Sequence, residues 1–539
     1  MLAIAPQSGW GQSAPLASLE MPEPVQAPPV VPQDAFGRAL HEAAADDSAV
    51  AAFHADLDHR PFWTAQDAVG EMRRGVLLSA LDAAALHALP VGRYDAAGLR
   101  AAFADLRSEA DRGRLEARMS KVLASYARDL NSGALNNLRS IDKDLVREIA
   151  RPDPGAILAG FAADPESYLE GLAPRSPEYA RLIRARLAMM DLVARGGWGG
   201  TVAGSRIKPG VSGPVVVQLR ERLNAMGWLA EGGQGSYDAV VQQAVRDFQQ
   251  AHGLTPDGVV GEATLKALNI PAEERLAALT VALERERWSN QPRGKRHIWV
   301  NLADFSAQIV DDDKVTFSTR AVIGGTRDDK RTPEFSHHMT YMEINPDWTV
   351  PPGIIRRDYL PRLQANRNAL GHLQVVDSRG RVIPRDQIDF SRYSAGNFPY
   401  SLRQPPGPSN ALGRVKFMFP NPWSIYLHDT PERGLFSRET RTFSSGCVRL
   451  NDPFDFAYAL LAPQTDDPKK LFHRLLDSGK QQRLNLAQPV PVHLDYRTAF
   501  TDARGRVQFR TDVYGRDARI HEALLRAGVT DVMPTGLGG

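Results

Sequence analysis

The sequence predicts a multidomain α+β protein made of a helical scaffold, a small three-helix module and a mainly β domain with an inserted cap. Two observations predict this. Apolar residues recur at helical spacing in stretches such as EYARLIRARLAMMDLVARGG, but from PRGKRHIWVNLADFSAQIV onward they alternate in the manner of strands. The 539 residues also exceed one hydrophobic core, since domains run to roughly 100–200 residues.

Taken in order, residues 1–33 are rich in proline and small residues without a sustained period, which predicts a leader or linker. Their start lacks the basic and continuous apolar regions of an export signal. Residues 34–205 read as the helical scaffold, with Trp63, Tyr94, Tyr126 and Tyr179 on apolar faces that fit a core better than a ligand surface. In 206–270, VVVQLRERLNAMGWL and YDAVVQQAVRDFQQAHGL predict two helices, and the Asp257-Gly258 turn leads into a short third one. Residues 271–290 read as a return to the scaffold or a linker. Residues 291–539 form the mainly β domain, with a cap at about 352–408, where the connection is too long for a hairpin, and a C-terminal tail.

Composition removes several classes of function. With 65 Lys and Arg against 63 Asp and Glu, the net charge of +2 excludes a strongly polybasic nucleic-acid binder. No apolar run reaches the roughly 18 residues of a membrane span. A single cysteine, Cys447, rules out an intramolecular disulfide framework and multi-cysteine metal or redox centres. His337 and His338 are the only adjacent histidine pair, but strand neighbours face opposite ways, so no metal site is expected. No cofactor is called for.

Chemistry concentrates around that one thiol, in SIYLHDTPERGLFSRETRTFSSGCVRLNDP. Gly446 permits a tight approach to Cys447, and nearby backbone N–H groups can receive charge developing on a carbonyl oxygen. His428 lies upstream at a spacing that suits an adjacent strand, from which it can accept the thiol proton. Arg449 shares the strand face of Cys447, since strand side chains repeat every two residues. Asp429 points away from His428 on a strand, and Ser445 is placed to orient substrate or donate to the oxyanion.

This signature resembles the catalytic motif of the L,D-transpeptidase, or YkuD-like, family. The stretches MEINPDWTVPPGI and QPPGPSNALGRVKFMFPN, together with the terminal PVPVHLDYRTAFTDARGRVQFRTDVYGRD, resemble its large cap-bearing members. Those members carry the Ser-Ser-Gly-Cys variant found here, where many smaller ones have His before Gly-Cys. Residues 206–270 resemble the type 1 peptidoglycan-binding domain.

The resemblance implies a cysteine acyltransferase that attacks a tetrapeptide wall stem, releases D-alanine and passes the acyl group to a second stem as a 3-3 crosslink. It further implies a backbone carbonyl orienting His428, peptidoglycan stems and glycan as partners, and work in the periplasm. Asn345, Trp348, Asn410 and Lys416 recur in the resembling segments as candidate substrate contacts. L,D-carboxypeptidase activity, wall-protein attachment, peptide cleavage by a cysteine protease and an inactive wall-binding scaffold remain open on the sequence.

Overall fold

A computed structural model describes residues 34–233 and 235–532. The expected leader at 1–33 lies outside the described residues. The first region is helical because its apolar stripes are punctuated by capping residues. Asp34, Asp47, Asp67 and Asp153 each accept a backbone N–H three residues on, satisfying donors that a helix start would leave unpaired. The long helix Glu109–Ser132 forms the spine of this region. Gly113 lets the first helix, Ala35–Ala44, lie against it, since a Cβ there would meet the Phe36 carbonyl oxygen at 2.2 Å. Trp63, Tyr94 and Tyr126 are core residues of this bundle, and Tyr179 belongs to a neighbouring core.

The next unit has the helices Pro214–Ala225, Ala239–Ala251 and Glu262–Leu268 around Val216, Leu219, Val245, Phe248 and Leu268. Leu254 is half-buried and outside this core, on a cleft against the β domain. The chain then returns through helix Ala272–Trp288, which is buried along most of its length. Its Leu279, Val281 and Leu283 pack with Leu182 of helix Pro177–Ala194 and with Ile520 and Leu524 of the terminal helix Arg516–Ala527. The C-terminal tail therefore closes the scaffold rather than trailing from the β domain. A buried ion cluster fastens the junction: Glu334 accepts from Arg285 at 2.6 Å and from Arg516 at 2.9 Å.

The β domain contains β1 (Arg296–Asn301), β2 (Ser306–Asp311), β3 (Lys314–Gly324) and β4 (Phe335–Ile344), then β5 (Trp348–Thr349), β6 (Gln374–Val376) and β7 (Ser401–Gln404). There follow β8 (Val415–Met418), β9 (Leu427–His428), β10 (Thr442–Ser444), β11 (Val448–Leu450) and β12 (Gln482–Asp495), with a final hairpin of β13 (Ala499–Thr501) and β14 (Val507–Phe509). The main sheet runs β10-β3-β11-β9-β8-β4-β12-β1-β2, and β2 pairs back onto β3, so the sheet closes on itself with β10 outside the ring. Closure leaves few open edges and encloses Ile298, Met342, Phe417, Leu427, Val448 and Leu494.

The cap is a separate sheet, β5-β7-β6, with its own core of Val350, Leu360, Leu363, Val375 and Leu402. It is wider than the expected 352–408, because β5 at Trp348 pairs with β7 and Leu412 also enters the core.

Candidate active site

Strand register builds the site. Glu343 on β4 lies opposite Lys416 on β8, Lys416 opposite His428 on β9, and His428 opposite Arg449 on β11. These four residues form one row across four strands and therefore share a face of the sheet. Cys447 and Tyr426 each stand two positions before a member of the row and share that face. Between these positions, Phe417, Leu427, Val448 and Leu450 point into the closed core. Alternation thus separates the reactive face from the packing face.

The turn before β11 presents the thiol. Gly446 holds φ at 123°, which an L side chain rarely adopts, and a Cβ there would come within 3.2 Å of Ile425. Two hydroxyls fix the turn. Ser444 Oγ accepts the Gly446 N–H at 3.1 Å and donates to the Cys447 carbonyl. Thr332 Oγ1 donates to the Gly446 carbonyl at 2.7 Å and accepts the Gly324 N–H at 2.9 Å. Gly446 consequently shapes the turn but has no N–H left for an oxyanion, contrary to the expectation that it would donate one. Ser445 is exposed on the turn's outer side.

The sulfur of Cys447 lies 3.7 Å from the Ser424 carbonyl, to which it donates. Ser424 is held at φ 56° by Asn421, whose Oδ1 accepts the N–H groups of Trp423 and Ile425. Tyr426 falls opposite Cys447 on the same face, and its ring centre lies 5.6 Å from that of His428. Burial pushes the thiol's pKa up, opposed by Tyr426 and by the positive charges of Lys416 and Arg449.

His428 is buried, and its pKa is pushed down to about 3 by burial first and then by Arg449 and Lys416. Its Nδ1 meets the Asp429 backbone carbonyl. A carbonyl only accepts, so Nδ1 carries the proton and Nε2 keeps its lone pair for base duty. The Asp429 carboxylate is engaged elsewhere, accepting from the N–H groups of Arg414 and Thr430. Arg449 pairs with Glu432, and Lys416 pairs with Glu343 at 3.4 Å while its Nζ sits 4.4 Å from the Tyr426 ring centre.

Three candidate substrate contacts have structural duties instead. Asn345 is buried: its amide donates to the Leu476 carbonyl at 2.8 Å, and its oxygen accepts from Arg414 at 3.1 Å. Asn410 is fully buried, with its amide on the Gln404 and Pro405 carbonyls and its oxygen on the Leu412 N–H. Trp348 packs in the cap core edge-on to Tyr359. Their recurrence in the family-like segments had suggested recognition, but backbone carbonyls take up both amides and the cap's apolar core takes up Trp348. Among the described residues no cluster of three potential metal ligands exists, and His337 and His338 lie on β4 away from the site row.

Residues 295–492 match the L,D-transpeptidase catalytic domain family, YkuD. The chain carries a YkuD-like L,D-transpeptidase domain. Residues 48–185 match the scaffold domain family, and 212–268 match a peptidoglycan binding domain described as putative. Together they agree with a cap-bearing member of the family.

A protein of Haemophilus influenzae named "Putative L,D-transpeptidase" is 33% identical over 292 residues, covering 53% of this chain and 58% of the relative. The Mycobacterium tuberculosis protein named N-acetylmuramoyl-L-alanine amidase CwlM is 38% identical over 88 residues, covering 14% of this chain and 21% of the relative. The chain thus spans less than two thirds of each relative's length. A crystal structure of an L,D-transpeptidase from Xylanimonas cellulosilytica is 17% identical, covering 54% of this chain and 98% of that one, with a TM-score of 0.17.

Around the L,D-transpeptidase motif, sequence reasoning passed over Tyr426, Ser444, Asn421 and Thr332. The alternation of SIYLHD placed Tyr426 on the face of His428, so that signal was present. Thr332 carried none, because it reaches Gly446 across 114 positions of chain.

Proposed function

We propose that this protein is a peptidoglycan L,D-transpeptidase that forms 3-3 crosslinks between wall peptide stems through a thioester on Cys447, releasing D-alanine. The observation that carries this reading is that strand register puts the chain's one thiol and a histidine with a free Nε2 on the shared face of β9 and β11, within an L,D-transpeptidase domain.

Cys447 Sγ attacks the carbonyl carbon at the stem's third residue while its proton passes to His428 Nε2. The Cys447 and Ser445 N–H groups, which have no partner among the described residues, are the donors for the developing oxyanion. The C–N bond then breaks, and His428 returns the proton to the departing D-alanine amine. A second stem's amine attacks the thioester, the C–S bond breaks, and the thiol regains a proton. Burial of His428 disfavours a standing imidazolium, so proton transfer accompanies attack rather than preceding it.

Arg449 and Lys416 give the site positive potential suited to the carboxylates of a stem peptide. Residues 206–270 hold wall glycan or peptide, and the helical scaffold places that module against the catalytic domain. No helix of the described residues is long and apolar enough to cross a membrane, and the reaction's substrate places the enzyme in the periplasm.

Incubation with defined wall tetrapeptides and mass analysis of the products tests the proposal. It predicts crosslinked dimers and free D-alanine. Tripeptide with D-alanine and no dimer would replace it with L,D-carboxypeptidase activity, and a stem joined to protein would indicate wall-protein attachment. Wall binding without D-alanine release would leave only an inactive scaffold.

A further inference from the structure

The stretch DVYGRD, residues 512–517, takes no part in the acyl-transfer steps, yet its side chains stand one contact away from the turn that presents Cys447. Tyr514 is buried in the barrel core. Its hydroxyl donates to the Gly324 carbonyl at 2.7 Å and accepts the Thr332 N–H at 3.3 Å. Gly324 and Thr332 form the neck of the loop 325–331. The neck is tight, since a Cβ on Gly324 would meet the Lys330 carbonyl oxygen at 2.0 Å and the Thr332 nitrogen at 2.7 Å. This neck carries the Thr332 hydroxyl that donates to the Gly446 carbonyl, and the adjoining Gly325 N–H donates to the Ser444 carbonyl at 2.9 Å. One phenol oxygen therefore ties the two sides of the neck together, and the neck holds the turn on both sides of Ser445.

Tyr514 is itself held from two directions. Its ring stacks on Tyr496, with centres 5.5 Å apart, and its N–H donates to the Tyr496 hydroxyl at 3.0 Å. Arg516, two residues on, donates to the Thr332 carbonyl at 2.9 Å and to Glu334 at the same distance. The scaffold grips this assembly with consecutive residues. Asp142 pairs with Arg519, which donates to the Tyr514 carbonyl at 2.9 Å. Lys143 Nζ donates to the Asp328 carbonyl at 2.9 Å, fixing the far end of the loop. The Asp144 carbonyl accepts the Glu334 N–H at 2.8 Å, and Leu145 bridges Glu334 in parallel register.

We propose that Tyr514 is a positioning residue for Cys447, whose hydroxyl sets the Gly446 turn through Gly324 and Thr332, so that the thiol stands in its reactive place only while the tail and the scaffold segment Asp142–Leu145 are seated on the barrel. Tyr514 touches neither substrate nor sulfur. It acts by fixing where the Thr332 hydroxyl sits, and that hydroxyl fixes the carbonyl of the residue before the nucleophile. The scaffold thereby has a second task besides placing the wall-binding module. The inference rests on Cys447 being the nucleophile of the proposed reaction.

Because Cys447 is the sole cysteine, labelling with cysteine carrying carbon-13 at Cβ gives one resonance from this side chain in the full-length protein. Tyr514→Phe keeps the stacked ring and removes only the hydroxyl, so its resonance should move or broaden relative to wild type. At a temperature well below melting, kcat for D-alanine release should fall about tenfold with KM within about twofold, less than the hundredfold of a full 1 Å displacement because Thr332 still holds Gly446. Tyr514→Phe combined with Thr332→Val should lose no more kcat than Thr332→Val alone, since both act through one peptide. Lys143→Met, which frees only the loop's far end, should move the resonance by less.

A Tyr514→Phe resonance at the wild-type position and width would overturn the proposal, as it would show that the tyrosine only fills the core. Losses of kcat that multiply in the double variant would overturn it too, by placing the two hydroxyls on separate routes. Should Tyr514→Phe not fold, an unmoved Lys143→Met resonance overturns it equally. The resonance needs no wall substrate. A moved resonance in a protein whose wild type releases no D-alanine would sink the transpeptidase reading and leave the positioning standing. An unmoved one in a protein that does release D-alanine would sink the role of Tyr514 alone.

Discussion

Replacing Thr332 with valine tests the architecture that presents the nucleophile. Valine matches threonine in shape but removes a hydroxyl that bridges the Gly324 N–H and the Gly446 carbonyl, at 2.9 and 2.7 Å. Thr332 is fully buried, and both glycines are buried too, so water does not replace the lost partner. A buried polar group left unpaired costs about 1–3 kcal/mol, which for two groups, after partial relaxation, puts the expected loss at about 2–4 kcal/mol. The Gly446 peptide is then free to rotate, moving the neighbouring Cys447 N–H and sulfur. A displacement of about 1 Å can cost on the order of a hundredfold in rate. Urea unfolding gives the first quantity, and the rate of D-alanine release from a tetrapeptide gives the second. Thr332→Ser retains the hydroxyl and should lose only about 0.8 kcal/mol for the methyl group, with near wild-type turnover. If Thr332→Val unfolds within about 0.5 kcal/mol of wild type and turns over normally, the bracing role assigned to this hydroxyl is wrong.

Asn345→Ala and Asn410→Ala should each lower unfolding free energy by about 2–3 kcal/mol, from the buried carbonyls they abandon, while KM for the stem stays within about twofold. A large rise in KM at unchanged stability would restore them as substrate contacts. The acylation rate should show no break between about pH 5 and 7, because the His428 base stays neutral down to a pKa of about 3 instead of titrating near its ordinary value. A break near pH 6.5 in D-alanine release would contradict this.

Stability should fall on mild acidification. His54, His87 and His493 have pKa values lowered to about 4 by burial, so between pH 6.5 and 4 the unfolded chain binds protons that the folded one does not. Their contribution is fully present above pH 6.5 and is lost as pH drops, at up to about 1.4 kcal/mol per pH unit for each histidine. Denaturant titrations at pH 7 and 5.5 check the sign, and His54→Gln should flatten the dependence.

What the sequence revealed of the site was the part governed by local period. Strand alternation placed Arg449 on the face of Cys447 and turned the Asp429 carboxylate away from His428, and both follow from a two-residue repeat that needs no knowledge of partners. The alternation at the start of the β domain and the helical spacing before it likewise separated the two classes of architecture. What it hid depends on contacts across long stretches of chain. Asn345 reads as a recognition residue until the carbonyl of Leu476, 131 positions on, takes its amide. Trp348 reads the same way until β5 pairs with β7 and draws it into the cap. The terminal helix Arg516–Ala527 has an apolar stripe visible in sequence, but the stripe does not say that its partner is helix Ala272–Trp288. Gly446 was legible as a tight turn, whereas the loss of its N–H to Ser444 Oγ was not, because that depends on a hydroxyl's rotamer.

Whether Cys447 carries the acyl group is decided by intact-mass analysis of the protein during turnover of a tetrapeptide stem, followed by peptide mapping. The expected result is an added mass equal to the stem lacking its terminal D-alanine, located on the peptide containing Cys447 and absent from Cys447→Ala. D-alanine release by Cys447→Ala at the wild-type rate, or an adduct on any other residue, would contradict it.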